Sequence, residues 1–447
     1  MAEGNSPDSS PASLASVSLA DTRFGSYLFV HASWFLTNGL QGVLLPYLVT
    51  VVLKGSAAQL GIAQMSLTLP STFLVLIGGL IADRVDVKRQ ISRLYIFTTI
   101  PYFLLGVFLA FHIFSYPLMI AYALSVGSIS AFTLPTRDAL LARMAPSPEG
   151  GGIQRAVSLA SLAQFSGQIV AMTIAVGARL FGIIPLFFLQ VAVMGSGAAL
   201  AQRLRPRPAP PKRDRGQTNV FSFAWSEFAA GHKAVFASPI IGPLTIMSFG
   251  IGASLPGSMQ VLMPLLVKSY FPANLAIADQ PRIESALAIF TLCFWLGTIT
   301  TATSLVRLGM PRHKGRLYLF GIVGGGTLLF VEMLHLPFAL FCGLNFFWGI
   351  ANGIIITLGR GIVQELAQEH LRARILSVFS FGFMVGGPVG AVVLGFLAGA
   401  LGPHEALLFP GALAILIAIA AVVATPLWRL NTEALVHEVP IPQTEPV

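Results

Sequence analysis

The chain has 447 residues, of which 55% are hydrophobic and 10% charged, with a formal net charge of +9. An ordinary soluble domain is roughly a quarter charged, so a water-exposed globular surface of the usual kind is excluded. The basic excess would suggest a nucleic-acid partner in a soluble chain, but here its placement relative to the apolar segments decides, and that placement indicates topology instead.

Residues 1–23, rich in Ser, Pro and Ala, have no basic stretch leading into a short apolar core, so they are expected to form a disordered tail rather than a cleaved signal. About 20 apolar residues cross a ~30 Å hydrocarbon layer as a helix. Such windows recur near residues 26–51, 58–82, 92–113, 117–140, 153–177 and 181–203, and again near 239–266, 284–306, 316–335, 337–358, 375–400 and 406–429. Between the two sets lies RLRPRPAPPKRDRGQTNV at 203–220, whose Pro and Arg content cannot span. The expected organisation is a tail (1–23), a six-helix bundle (24–203), a basic linker (204–237), a second six-helix bundle (238–430) and a tail (431–447). Within the linker, Phe221, Trp225, Phe228 and Val235 fall on one helical face, which predicts an amphipathic helix on the membrane surface; an ordinary flexible linker is the plainer alternative.

With the N-terminus on the inner side, only Lys54, Arg179, Lys268 and Arg282 of the 27 basic residues fall on the outer side. The positive-inside bias therefore predicts that both termini are cytoplasmic, and no nucleic-acid partner is expected. The two halves also resemble one another. SRLYIF at 92–97 recurs as GRLYLF at 315–320, TLPTRDALLARMA at 133–145 is echoed by TLGRGIVQELAQ at 357–368, and the two offsets agree to within one residue. That is the signature of a parallel duplication.

The stretch GGLIADRVDVKRQ at 78–90 occupies the inner loop between the second and third spans. It resembles the loop signature of the major facilitator superfamily, with Gly79, Leu80, Asp83, Arg84, Lys88 and Arg89 at the matching places. Asp86 in that loop, TLPTRDALLARMAPSPE after span four, and Val363, Gln364, Glu365, Arg372 and Arg374 before span eleven are most similar to the branch of enterobactin exporters and macrolide-efflux proteins. Ala373 stands where that branch has Gly. The Gly-Pro that many proton-coupled drug antiporters carry in span five is missing, and a similar GGPVG occurs in span eleven at 386–390.

The resemblance implies an all-α membrane protein of twelve transmembrane helices in two six-helix bundles, working as a secondary transporter by alternating access in a bacterial inner membrane. It implies export of a small amphipathic molecule, drug-like or siderophore-like, with a proton or sodium ion as a possible coupling partner and no cofactor. Uptake by symport, or a transport-dead receptor or assembly factor on the same fold, are the alternatives.

Physically, a carboxylate near the N-terminus of a helix gains roughly 0.3–1 kcal/mol when exposed. Asp83, against the positive-inside trend, is expected to clasp the start of span eleven near Arg372 and Arg374 when the inner side closes. Val306 stands at the equivalent place in the second half, so the clasp would be asymmetric.

No nucleophile-base constellation, metal cluster or phosphate-binding loop is found, so no enzyme activity is expected. Intramembrane charge is costly; Arg137, Asp138, Arg155, Glu284 and Glu332 lie towards span ends, which favours a neutral or amphipathic cargo. Polar uncharged residues recur at helical spacing: Asn38 and Gln41 in span one, Gln164 and Gln168 in span five, and Asn345, Trp348 and Asn352 in span ten. They are candidates for the cavity lining, with hydrogen bonding between helices as the competing role. In span eleven, Gly386, Gly390, Gly395 and Gly399 read as small residues for close packing or, with Pro388, as a hinge.

Overall fold

The computed structural model describes residues 22–145, 152–207, 229, 231–271, 281–308, 311–367 and 371–429. Both tails, and Phe221, Trp225 and Phe228 of the proposed surface helix, lie outside them. Helix resumes over 231–237, where Val235 is buried.

Eleven helices among the described residues are long and apolar enough to cross a membrane. Ala57–Arg84, at 28 residues, is of spanning length too and completes the set of twelve. In chain order the spans are Thr22–Tyr47 extended by a π turn at Leu48–Val52, Ala57–Arg84, Val87–Ala110, Tyr116–Met144, Gly152–Val176 and Ile184–Ala201. The second half comprises Ile241–Ser269, Pro281–Leu308, Lys314–Glu332, Phe338–Leu366, Arg372–Leu401 and Leu408–Ala424. No strand occurs among the described residues. In hydrocarbon a helix satisfies its own backbone groups, which is why these apolar runs take this form.

Where boundaries differ from the apolar windows, local chemistry explains the difference. Span three starts at Val87, five residues earlier than hydropathy suggests, because Asp86 caps it by accepting from the Lys88 amide at 3.0 Å. Arg89 adds an exposed ion pair to the same carboxylate at 3.5 Å. Span ten continues past residue 358 to Leu366, and on that extension Glu365 is ion-paired to Lys314 at the start of span nine. Span six is preceded by a separate turn, Ala178–Phe181, that ends at Gly182 with φ +77°.

The sequence repeat is visible in packing. Tyr95 of span three and Tyr318 of span nine, the tyrosines of the two repeated hexamers, are both fully buried. Tyr95 donates to the Val30 carbonyl at 2.7 Å, and Gly359 of span ten closes against the Tyr318 ring. Spans eight and ten touch backbone to backbone at Gly297 and Gly349, just as spans two and four do at Gly78 and Gly127. Gly386 and Gly390 bring span eleven against span seven, Gly395 brings it against span two, and nothing packs at Gly399.

Span two of the first bundle lies against span eleven of the second, and span five against span eight. Hydrogen bonds that join the bundles include Lys268 Nζ to the Thr50 carbonyl, Gln64 Nε2 to the Gln260 carbonyl at 3.1 Å, Ser285 to Val176 at 2.8 Å and Thr72 to Met384 at 3.3 Å. The first three lie in the half of the spans remote from the chain ends, and Thr72–Met384 lies near mid-span. Spans four and ten, in contrast, pack chiefly on helices of their own bundle. Among the described residues these bonds thus join the bundles chiefly on the side remote from the termini.

Candidate functional site

A cavity of about 240 Å³ lies in the seam between the bundles, just beneath the bonded side. From the first bundle it takes Asn38 and Gln41 of span one, Gln64 and Thr68 of span two, and Gln168 of span five. The second bundle supplies Gln260 of span seven and Thr291 of span eight, together with Phe290, Phe294 and Trp295 as an aromatic wall. Met172, Met259 and Met263 fill the remainder with flexible apolar surface. No charged side chain lines it. Among the described residues no group of three His, Cys, Asp or Glu could hold a metal ion.

The amides are only partly satisfied. Gln41 accepts from the Tyr122 hydroxyl, yet its Nε2 has no partner. Oε1 of Gln168 and Oε1 of Gln260 are also without partners, and all three atoms are buried. A buried, unpaired amide group costs roughly 1–3 kcal/mol, so three around one cavity constitute a set of donors and acceptors available to a guest. Gly39 makes room for one of them, since a Cβ there would stand 2.5 Å from Gln168 Oε1.

Of the residues singled out in the sequence, Asn38, Gln41 and Gln168 come together in this cavity. Gln164 is half-buried one turn away and is not among its lining residues. The span-ten stripe lies one layer behind the aromatic wall. Asn345 is wholly buried and donates to the Phe290 carbonyl at 2.6 Å. Trp348, 1% exposed, meets Phe294 edge to face at 5.5 Å. Asn352 is half-buried further along the helix. Phe347, off that stripe, is 58% exposed on the bundle's outside. Asn345 and Trp348 thus back the wall through Phe290 and Phe294, and none of the three stripe residues is among the cavity's lining residues.

Gln64, Thr68, Gln260, Thr291 and the three aromatic residues were not picked out by sequence. Gln64 and Thr68 do sit four apart in span two, a signal available in principle but shared there with Gln59, Ser66, Ser71 and Thr72. Gln260 stands alone, and only the fold brings it opposite them.

The chain superposes on a crystal structure of the nucleoside transporter NupG over 90% of its own length and 99% of the other's, at TM-score 0.70 and 16% identity. A bacterial homologue of the human lysosomal transporter Spinster, in an inward-facing and unoccupied conformation, matches over 93% of this chain and 98% of that one at TM-score 0.60 and 14% identity. A POT family transporter in complex with 5-aminolevulinic acid matches over 90% and 96% at TM-score 0.68 and 13% identity. The fold is the major facilitator fold. No family model and no curated protein sequence matches the chain.

Within that fold the loop residues noted in the sequence fall on the terminal side. A Cβ at Gly79 would stand 3.9 Å from the Pro135 Cβ, an ordinary contact. Asp83 and Arg84 form the last turn of span two, and their side chains lie outside the described set. Lys88 is half-buried and Arg89 exposed at the start of span three. Arg372 is exposed and Arg374 half-buried in the first turn of span eleven. Arg137 is buried in span four with its guanidinium carbon 4.5 Å from the centre of the Phe35 ring.

Proposed function

We propose that the protein is a secondary transporter of the major facilitator superfamily that moves a small, uncharged, amphipathic molecule by alternating access. The observation that carries this reading is the cavity between the bundles: three unsatisfied amides and an aromatic wall, no charged lining residue, and cross-bundle hydrogen bonds on the side remote from the termini. A pocket of this make-up suits a ring system with polar edges, because the rings stack on Phe294 and Trp295 while the edges pair with the glutamines. The positive-inside bias supports placing the terminal side in the cytoplasm of a bacterial inner membrane, which makes this conformation inward-open. The loop signature and the stretches around Arg137 and Arg372 support the efflux branch, hence export.

The test is ligand-dependent thermal stabilisation of purified protein across neutral and charged amphipathic compounds. Neutral compounds are expected to stabilise it, and Gln168→Leu to weaken the best of them roughly five-fold, the loss of one buried hydrogen bond. Stabilisation by charged compounds alone would sink the cargo assignment. Flux of the hit in inside-out vesicles, oriented by impermeant labelling of Arg205→Cys, then separates export from uptake and from a receptor that binds without flux.

For the terminal-side gate, Asp83 is proposed to pair with the start of span eleven when that side closes. Asp83→Asn is expected to lower transport and increase the inward-open fraction, since a neutral amide makes weaker bonds to charged partners. Transport at the parental rate would remove Asp83 from the gate.

A further inference from the structure

The repeated hexamers SRLYIF and GRLYLF lie at the starts of spans three and nine, and each exposes an arginine and a phenylalanine four residues apart, on one helical face. In the second bundle the pair is Arg316 and Phe320. Arg316 donates from Nε to the Trp428 carbonyl at 3.2 Å, and its guanidinium carbon stands 5.4 Å from the centre of the Trp428 ring. Phe320 meets the same ring edge to face at 5.7 Å. Trp428 belongs to the turn Pro426–Arg429 that follows span twelve. The chain thus covers this pair with a segment of its own, one that offers an oxygen acceptor and an apolar body together.

The first bundle has the pair, Arg93 and Phe97, without the cover. Among the described residues no carboxylate is paired with Arg93, whereas Arg89 one turn earlier meets Asp86. The 223-residue offset between the hexamers at 92–97 and 315–320 carries Leu427 onto Leu204 and Trp428 onto Arg205. Both leucines are 1% exposed, so the chain leaves spans six and twelve in the same way. Gln202 ties the first of these exits to the start of span three by donating to the Ser92 hydroxyl at 3.2 Å. Where the second half presents a tryptophan, the first half therefore presents a second exposed arginine. Like charges repel, so Arg205 cannot seal Arg93 as Trp428 seals Arg316.

Beside Arg93 a groove of about 500 Å³ runs between spans three and four on the outside of the first bundle. It begins at Leu94, next in the chain to Arg93, and follows Phe97, Ile100 and Leu104 for about 15 Å of helix. Phe132 lines its span-four side, and no charged side chain lies within it. Its open face meets hydrocarbon, and its arginine end lies toward the terminal side, where span three begins. We propose that this groove binds one acidic phospholipid of the terminal-side leaflet, with an acyl chain along Phe97, Ile100 and Leu104 and the phosphate between Arg93 and Arg205. An apolar slot that ends at paired arginines near the membrane surface matches such a molecule in both parts. A zwitterionic lipid fills the slot equally well, but it brings a cation beside its phosphate, which the two arginines disfavour. The site is separate from the cavity in the seam and does not depend on the cargo.

Native mass spectrometry of the full chain, delipidated in detergent, tests this with phosphatidylglycerol and phosphatidylcholine of identical acyl chains. The parent is expected to retain one phosphatidylglycerol about ten-fold more tightly than phosphatidylcholine, the difference that one charge-assisted hydrogen bond makes. Arg93→Gln should remove that preference. Arg205→Trp, which gives the first half the cover found in the second, should exclude both lipids. Trp428→Arg, the reverse exchange, uncovers Arg316 and Phe320 and should raise the retained phosphatidylglycerol from one to two. Equal retention of the two lipids by the parent, an undiminished preference in Arg93→Gln, or an unchanged count in Trp428→Arg overturns the proposal. Should Arg93→Gln not fold, an undiminished preference in Arg205→Trp overturns it.

Discussion

Gly61→Val is expected to abolish transport while leaving both bundles folded. A Cβ at Gly61 would stand 2.4 Å from the Ala391 carbonyl oxygen and 3.3 Å from the Gly395 Cα, all on span eleven across the seam. The three atoms nearest to that Cβ all belong to the opposite bundle, so the obstruction acts chiefly when the bundles close. An overpacking penalty of about 3 kcal/mol, imposed on one state of a two-state equilibrium, shifts the populations by about 100-fold. The variant should rest with the remote side open. Met263→Cys in the cavity should then become reactive to impermeant reagents from that side, and cargo flux should fall to background at an unchanged thermal midpoint. Parental flux, or a lowered midpoint with unchanged accessibility, would show that the contact is ordinary packing rather than a gate.

The same chemistry inside one bundle should give the opposite phenotype. At Gly349 a Cβ would lie 2.0 Å from the Phe294 carbonyl oxygen, and at Gly297 on the facing helix 2.0 Å from the Phe346 carbonyl oxygen. Spans eight and ten meet there within one bundle, so on the alternating-access reading proposed above they move as one body. Gly349→Val must force the helices apart, which costs about 3 kcal/mol or more from a fold whose total margin is about 5–15 kcal/mol. It also pushes Phe294 out of the cavity wall. Little folded protein should be recovered, as judged by monodispersity in detergent, and any that is recovered should unfold well below the parent. A monodisperse variant with the parental midpoint would show that the two helices separate at little cost.

Gly61 and Gly349 also show what a sequence of this kind conceals. The twelve spans are legible because crossing hydrocarbon constrains length and composition directly, and the halves are legible because duplicated segments such as SRLYIF and GRLYLF kept their residues. Helix-interior glycines carry no mark of whether the surface they meet belongs to the same bundle or the other. The cavity was legible in part. Asn38, Gln41 and Gln168 were visible as polar residues at helical spacing, but the same spacing also flagged Asn345 and Trp348, which face span eight instead. Helical periodicity tells which residues share a face and says nothing about what that face meets. Glu284 is the clearest case: the sequence places it only towards a span end, and the fold shows it almost wholly buried.

The π turns at Leu48–Val52 and Ser258–Leu262 interrupt spans one and seven near the closed side, beside Pro46 and Pro256 respectively. Each inserts about one residue into the helical count, and a helix advances about 100° per residue. The tip that meets the opposite bundle is therefore rotated relative to the shaft that carries Asn38 and Gln41. On span one, the cavity residues Asn38 and Gln41 thus lie on one side of the π turn and the closing contact at Thr50 lies within it. On the transport reading proposed above, substitutions on the shaft of span one can change what the cavity holds without disturbing the tip that closes it.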